Sequence, residues 1–396
     1  MPTMARYLAC SALTVALRSA LALHVDSRQL PEFGFGHKSA DPEIKGAPAR
    51  NLVRWSKSLM DKYPNKPDVA KSACEVFAMR GYAESDKGWM LDGGFLNMSV
   101  GALKRFPNDK SVQLACAKAV GGMSLFNQKN MQVAGELGAV ELVVNIMQRW
   151  RDDPQAQIGG VSGCFMDLSY ENRARWAQAG GIAVNIDSAR KFYKQPDTVV
   201  EATYAFSSGT QPPNEQRFVD AGGVQLLMDL MQDHGRSKRV REECMQATRP
   251  LARHSAGLRA KLVEAGYVPL LVTAMEEATL DKHQLSVACD NLKLLVSNNA
   301  TLVDTVVNAG ATLKAFDAVR LAYRMGDDGT HPAYTEATYT VQEDCLELLT
   351  LLSPNEQARQ ELIRAGAPFL MFRLVQDQPQ NQRLQEGAAA LSRSFG

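Results

Sequence analysis

The stretch "VDAGGVQLLMDLM", Val219 to Met231, decides how this chain of 396 residues is read. An apolar residue leads into Ala-Gly-Gly, and Val224, Leu227 and Leu230 follow at helical spacing. Glycine tolerates the sharp turn that carries one helix into the next. The spacing predicts that the three apolar residues face a core. Read alone, Gly-Gly after a small residue also fits a loop that cradles a phosphate. Its recurrence separates the two readings.

Relatives of the stretch run along the chain: "LDGGFL" at Gly93, "ELGAVEL" at Gly138, "QAGGIAV" at Gly180, "EAGYVPL" at Gly266, "NAGATLK" at Gly310 and "RAGAPFL" at Gly366. With Gly222 included, successive gaps are 45, 42, 42, 44, 44 and 56. A near-constant period in the forties marks a helical solenoid, whose units bury their apolar faces only by stacking on neighbours. Residues 172–209 show the unit. A short helix with Trp176 ends at Gly180-Gly181, and a second carries Ile182, Ile186 and Ala189. Pro196 breaks the second helix. Asp197 or Thr198 caps a third, with Val199, Ala202 and Phe206 on its apolar face.

The pattern N…h-x-x-A-G-G/A-h-x-x-L, then a break, then V/L-x-x-x-A/C-x-x-x-L, resembles the armadillo repeat. It is plainest from Asn214 and Asn355 and less regular from Asn172 and Asn299. The resemblance covers residues 51–396 in seven to eight units and implies an all-α, right-handed superhelical solenoid, one continuous domain. Armadillo proteins that bind extended basic peptides carry an asparagine ladder on their third helices. The matching positions here read Gly122, Asp167, Ser208, Pro250, Leu294 or Leu295, and Leu351, so a nuclear-import receptor role is not expected. Pro250 should kink its third helix or end it early. The last gap holds an insertion, residues 323–340, expected to protrude as a loop and to offer contacts through Asp327 and Asp328.

Composition agrees with a helical binding surface. Hydrophobic residues make up 45%, aromatics only 7%, and net charge is +1, without the basic excess of a general nucleic-acid binder. No motif for a phosphate loop, a dinucleotide fold, a nucleophile elbow or a histidine metal site is present. No cofactor, metal, catalytic residue or nucleic-acid partner is therefore expected. The basic run containing Arg236, Lys238, Arg239 and Arg241 opens a third helix and is the candidate contact for an acidic partner or a phosphate.

Seven cysteines, an odd count with no tight pairing, argue against a disulfide framework and for a reducing compartment. Cys116, Cys244, Cys289 and Cys345 lie 22, 22, 21 and 21 residues before the next anchor glycine, a repeated core position. Helix packing distances of roughly 10 Å would hold thiols in successive layers apart.

Residues 1–28 differ from the rest: no acid precedes Asp26, and Arg6 and Arg18 flank the apolar run Tyr7 to Leu17, too short to span a bilayer. A secretory signal cut near Ala20-Leu21-Ala22, an organellar presequence and a packed N-terminal helix all fit; the thiol-rich body favours a mitochondrial presequence over export. Residues 29–50, rich in Pro and Gly, read as a linker or extended arm. The expectation is a non-enzymatic protein–protein interaction scaffold, an accessory subunit of a large mitochondrial assembly. The alternative is a cytosolic or cytoskeletal adaptor.

Overall fold

The computed structural model describes residues 42–163, 169–235, 237–278, 281–297, 299–327 and 336–396. The proposed presequence lies outside them, as do Cys10 and Cys164. All 23 elements among the described residues are helices. Two lead: α1 (Pro42–Lys62) and α2 (Pro67–Gly81). Helix α1 begins inside the stretch read as a linker, because Pro42 can open a helix at its first position, where no backbone N–H is needed.

Seven triplets follow. The first is α3 (Glu84–Asp92), α4 (Phe95–Arg105) and α5 (Lys110–Ser124); the second is α6 (Gln128–Glu136), α7 (Ala139–Arg149) and α8 (Pro154–Gly163). The third is α9 (Tyr170–Gln178), α10 (Gly181–Lys191) and α11 (Pro196–Gly209); the fourth is α12 (Glu215–Asp220), α13 (Gly223–Asp233) and α14 (Lys238–His254). The fifth is α15 (Ala256–Glu264), α16 (Tyr267–Glu277) and α17 (Lys282–Val296); the sixth is α18 (Ala300–Asn308), α19 (Ala311–Asp327) and α20 (Glu336–Leu352). The seventh is α21 (Glu356–Arg364), α22 (Ala367–Asp377) and α23 (Gln382–Arg393).

Contacts divide the chain into two compact units, Met1–Ser208 with Pro212–Asn214, and Gly209–Gln211 with Glu215–Gly396. A repeat touches only its neighbours, so a linear array can divide at one step while both halves keep their cores.

The turn between first and second helices is the same seven times. A left-handed glycine occupies it, with φ from 76° to 89°, at Gly94, Gly138, Gly180, Gly222, Gly266, Gly310 and Gly366. In the first repeat the turn residue is Gly94 and not Gly93, because the preceding position, usually Ala, ends the helix in right-handed geometry and Gly93 takes that place. In the opening stretch only Gly222 turns. Gly223 leaves room for the Phe218 ring, which a Cβ there would meet at 2.3 Å. Val224, Leu227 and Leu230 are buried as the spacing predicts. Pro196 opens the third helix of its repeat, so Asp197 and Thr198 fall inside its first turn and not at its cap.

Polar side chains fasten one helix to the next. Asn130, Asn172 and Asn214, each 42 residues from the last, donate Nδ2–H to the carbonyls of Lys87, Met131 and Arg173 at 3.3, 2.8 and 2.9 Å. Third helices carry a second device. Gln113 Nε2 donates to the Leu103 and Phe106 carbonyls, the open end of α4, at 2.7 and 3.0 Å. Gln157 and Gln385 repeat this on Met147 and Trp150, and on Val375 and Gln378.

The sixth repeat breaks that device. Its insertion does not form an 18-residue loop: residues 323–327 lengthen α19, residues 336–340 begin α20, and only 328–335 lie outside the described residues. The carbonyls of Val319 and Ala322 are now inside α19, where helical N–H groups take them. Gln342, at the position of Gln113, is therefore fully buried with no hydrogen-bond partner for either amide atom among the described residues. Gln342→Met should stabilise the protein by about 1 kcal/mol, whereas Gln113→Met, which strips two carbonyls, should cost about 2 kcal/mol, read from urea unfolding. Equal effects of one sign would contradict this account.

The expectation about cysteines is overturned. Cys74 is bonded to Cys116 and Cys289 to Cys345, with Cα separations of 4.8 and 5.1 Å. Axes about 10 Å apart, less a Cα radius of about 2.3 Å on each side, bring facing Cα atoms to about 5 Å. The axis spacing is not the distance between facing residues. At the end of α2, Gly81 approaches α5 so closely that a Cβ would stand 2.7 Å from the Met123 nitrogen. Cys244 stays a free, buried thiol. Pro250 does not end its helix, which runs on to His254.

Candidate functional site

The third helices α14, α17 and α20 of the second unit carry the most connected polar surface among the described residues. Arg249 Nη2 lies 2.5 Å from Asp290 Oδ2, one repeat further on, and Arg253 reaches the same oxygen at 3.5 Å. Lys293, one turn beyond Asp290, holds Asp290 Oδ1 at 3.1 Å and reaches forward to Asp344 at 3.5 Å and Glu347 at 2.8 Å. The Ser286 hydroxyl donates to Asp344. Cations and carboxylates thus alternate across three repeats.

The environment sets the two aspartates in opposite directions. Burial would raise the Asp290 carboxyl, but Arg249 and Lys293 outweigh it and hold the group below its ordinary range. Burial dominates at Asp344 and raises it, against the Ser286 hydrogen bond and Lys293. Asp290 therefore adds stability above the ordinary carboxylate pKa, lost as pH falls through its lowered value. Asp344 adds stability below the ordinary pKa, lost as pH rises through its raised value. Relative to wild type, Asp344→Asn should gain thermal stability between pH 3 and pH 7, and Asp290→Asn should lose it over the same interval. Parallel trends in melts at the two pH values would refute the assignment.

The described members of the basic run singled out in the sequence have different surroundings. Arg236 and Asp328 lie outside the described residues, and Asp327 closes α19. Lys238 pairs with Asp281. Arg239 is exposed at the head of α14. Arg241 is buried: it stands at the position of Gln113, its Nε and Nη2 donate to Gln284 Oε1 at 3.0 and 2.9 Å, and Nη1 serves Glu277 and the Gly235 carbonyl. From the position the glutamines hold elsewhere, it fastens the turn just after α13.

Shallow crevices of about 460, 580, 370 and 330 Å³ recur between successive second helices, floored by Gln113, Gln157, Arg241 and Leu285. Their repetition shows that they follow from stacking and are not a specialised pocket. No group of three His, Cys, Asp or Glu among the described residues could hold a metal, and no described helix is long and apolar enough to cross a membrane.

Solved structures of the same fold are plentiful. An engineered protein from the Northeast Structural Genomics Consortium matches with a TM-score of 0.62 at 18% identity, over 90% of this chain and 96% of its own. A structure from work on a phosphorylation switch controlling the interaction between cadherin and beta-catenin matches with a TM-score of 0.66 at 15% identity, over all of this chain and 68% of its own. A computationally designed armadillo repeat protein for modular peptide recognition matches at 0.52 and 18% identity, covering 65% of this chain and 100% of its own. No family model and no curated protein matches the sequence. The fold is an armadillo-type helical repeat array, as the glycine register implied.

Proposed function

We propose that this chain is a non-enzymatic scaffold that binds a protein segment along the third-helix face of its second unit. The observation that carries the reading is the ladder from Arg249 through Asp290 and Lys293 to Asp344 and Glu347. Its outer members, Arg253 and Glu347, are more than half exposed and exchange partners at little cost, because exposed ion pairs are individually weak, while the buried Asp290 anchors the ladder. A charged segment lying across three repeats can replace several at once. The structural relatives, whose descriptions name peptide recognition and a cadherin–beta-catenin interaction, support a binding role.

A mitochondrial address, with an accessory role in a large assembly, rests on the acid-free leader. The two disulfides support a compartment that sustains them and weigh against the cytoplasmic alternative. They also remove the objection to export that a thiol-rich body raised. Fusion of residues 1–40 to a fluorescent reporter tests the address, and a diffuse cytosolic signal would sink it.

The scaffold reading predicts co-purification of a partner from native extract with the wild-type chain and its loss with Lys293→Glu, at unchanged helicity. A partner retained by Lys293→Glu, or a chain recovered only as a free monomer, would count against it.

A further inference from the structure

Beside the charged ladder runs an apolar row. Pro250, Leu294 and Leu351 each follow a half-buried polar residue, Arg249, Lys293 or Thr350, and each precedes a fully buried leucine. They therefore hold one register on α14, α17 and α20. Leu295 is fully buried, so Leu294 is the member at the surface. Pro250 and Leu294 are half-buried, and Leu351 is 38% exposed. None of the three offers a side-chain hydrogen bond. Arg253 stands three residues past Pro250, and Glu347 four residues short of Leu351. One turn away on opposite sides, the two charges flank the row at its two ends.

These flanking charges are the ones a partner can take. Their side chains are 56 and 54% exposed. When Arg253 leaves Asp290, Arg249 and Lys293 still hold that carboxylate. When Glu347 leaves Lys293, Asp290 and Asp344 remain on the ammonium group. Neither departure orphans a buried charge, so complementarity asks for an acid at the α14 end and a base at the α20 end. Spacing sets the conformation. Successive third helices stand about 10 Å apart, and an α-helix advances about 10.5 Å in seven residues, returning to nearly the same face. A strand places same-face residues about 7 or about 13 Å apart, which misses the row. A helix also satisfies its own backbone groups, which prolyl and leucyl side chains cannot do.

We propose, resting on the third-helix reading above, that the bound segment is an amphipathic α-helix of a partner protein. Its apolar residues at i, i+7 and i+14 cover Pro250, Leu294 and Leu351. Its first turn is acidic and meets Arg253. Its last turn is basic and meets Glu347, so the helix runs from α14 to α20. The helix dipole favours that same order of charges.

The probe is a synthetic peptide of about 20 residues with leucine at three heptad positions, glutamates in the first turn and lysines in the last. A second peptide exchanges the glutamates and lysines. Each is titrated against the full chain by fluorescence anisotropy, with circular dichroism reporting the helix gained on binding. The first should bind and gain helicity, and the second should bind about tenfold more weakly. Arg253→Glu combined with Glu347→Lys should invert that preference. Leu351→Asp should weaken the first peptide about tenfold. Leu313→Asp, at a 40% exposed leucine of a second helix, should change nothing. The proposal is overturned if neither peptide binds, if both bind the wild type equally, if the double variant keeps the wild-type preference, or if binding adds no helix. Sedimentation showing a dimer that Leu351→Asp dissolves would give the row to a second copy and overturn it as well. A native partner lost with Lys293→Glu while neither peptide binds would sink the helix and leave the third-helix reading standing. A native partner retained by Lys293→Glu would sink that reading and the helix with it.

Discussion

Replacing Cys289 and Cys345 together by alanine should lower the stability of the second unit by about 4 kcal/mol, on the chain-entropy account of a loop this long. The bond joins residues 56 apart in sequence and ties α17 to α20. For a unit of this size the midpoint of thermal unfolding should fall by roughly 10 °C. Cys74 and Cys116, 42 apart, predict a loss of about the same size in the first unit. All four residues are buried, so part of the loss could come from packing. Cys244→Ala measures that part, since Cys244 is buried at a matching site without a bond. Reductant should bring the second unit's transition in the wild type down to its level in the Cys289/Cys345 double variant and leave that transition of the variant unmoved, while the first unit's transition falls in both. A wild type whose melting ignores reductant would mean that the bonds do not form.

The two disulfides also show why some features can be read from the chain and others cannot. The turn at Gly222 is legible because only one residue type adopts its conformation cheaply, and the requirement returns every 42 to 56 residues. Buried faces such as Val199, Ala202 and Phe206 follow from helical periodicity alone. Partners one period apart carry no local signature. Arg249 and Asp290 meet because two third helices stack in register, which neither stretch announces by itself. The cysteines were visible at one repeated site, yet the bond depends on whether facing Cα atoms stand near 5 Å or near 10 Å. The orphaned Gln342 needed knowledge that the insertion lengthens α19 and withdraws two carbonyls.

Arg241→Met should cost about 3 kcal/mol, far more than its place in a basic run suggests. The change leaves Gln284 Oε1 without its two donors at a buried step between α14 and α17, and the half-buried Gly235 carbonyl, in the turn after α13, without its cap. Glu277 loses its cation but is 41% exposed, so water compensates it. Lys238→Glu, by contrast, touches an exposed pair with Asp281 and should cost at most about 1 kcal/mol. Arg241→Gln supplies the residue found at the same position in the first, second, sixth and seventh repeats. It can reach the end of α13 as Gln113 reaches the end of α4, and should recover about half of the lost stability. Urea unfolding of the three variants separates the roles. If Arg241→Met melts like wild type while binding to an acidic partner collapses, Arg241 is a contact residue and not the clamp on α13. If stability falls and Arg241→Gln restores it, Arg241 holds the fold together and is not a contact residue.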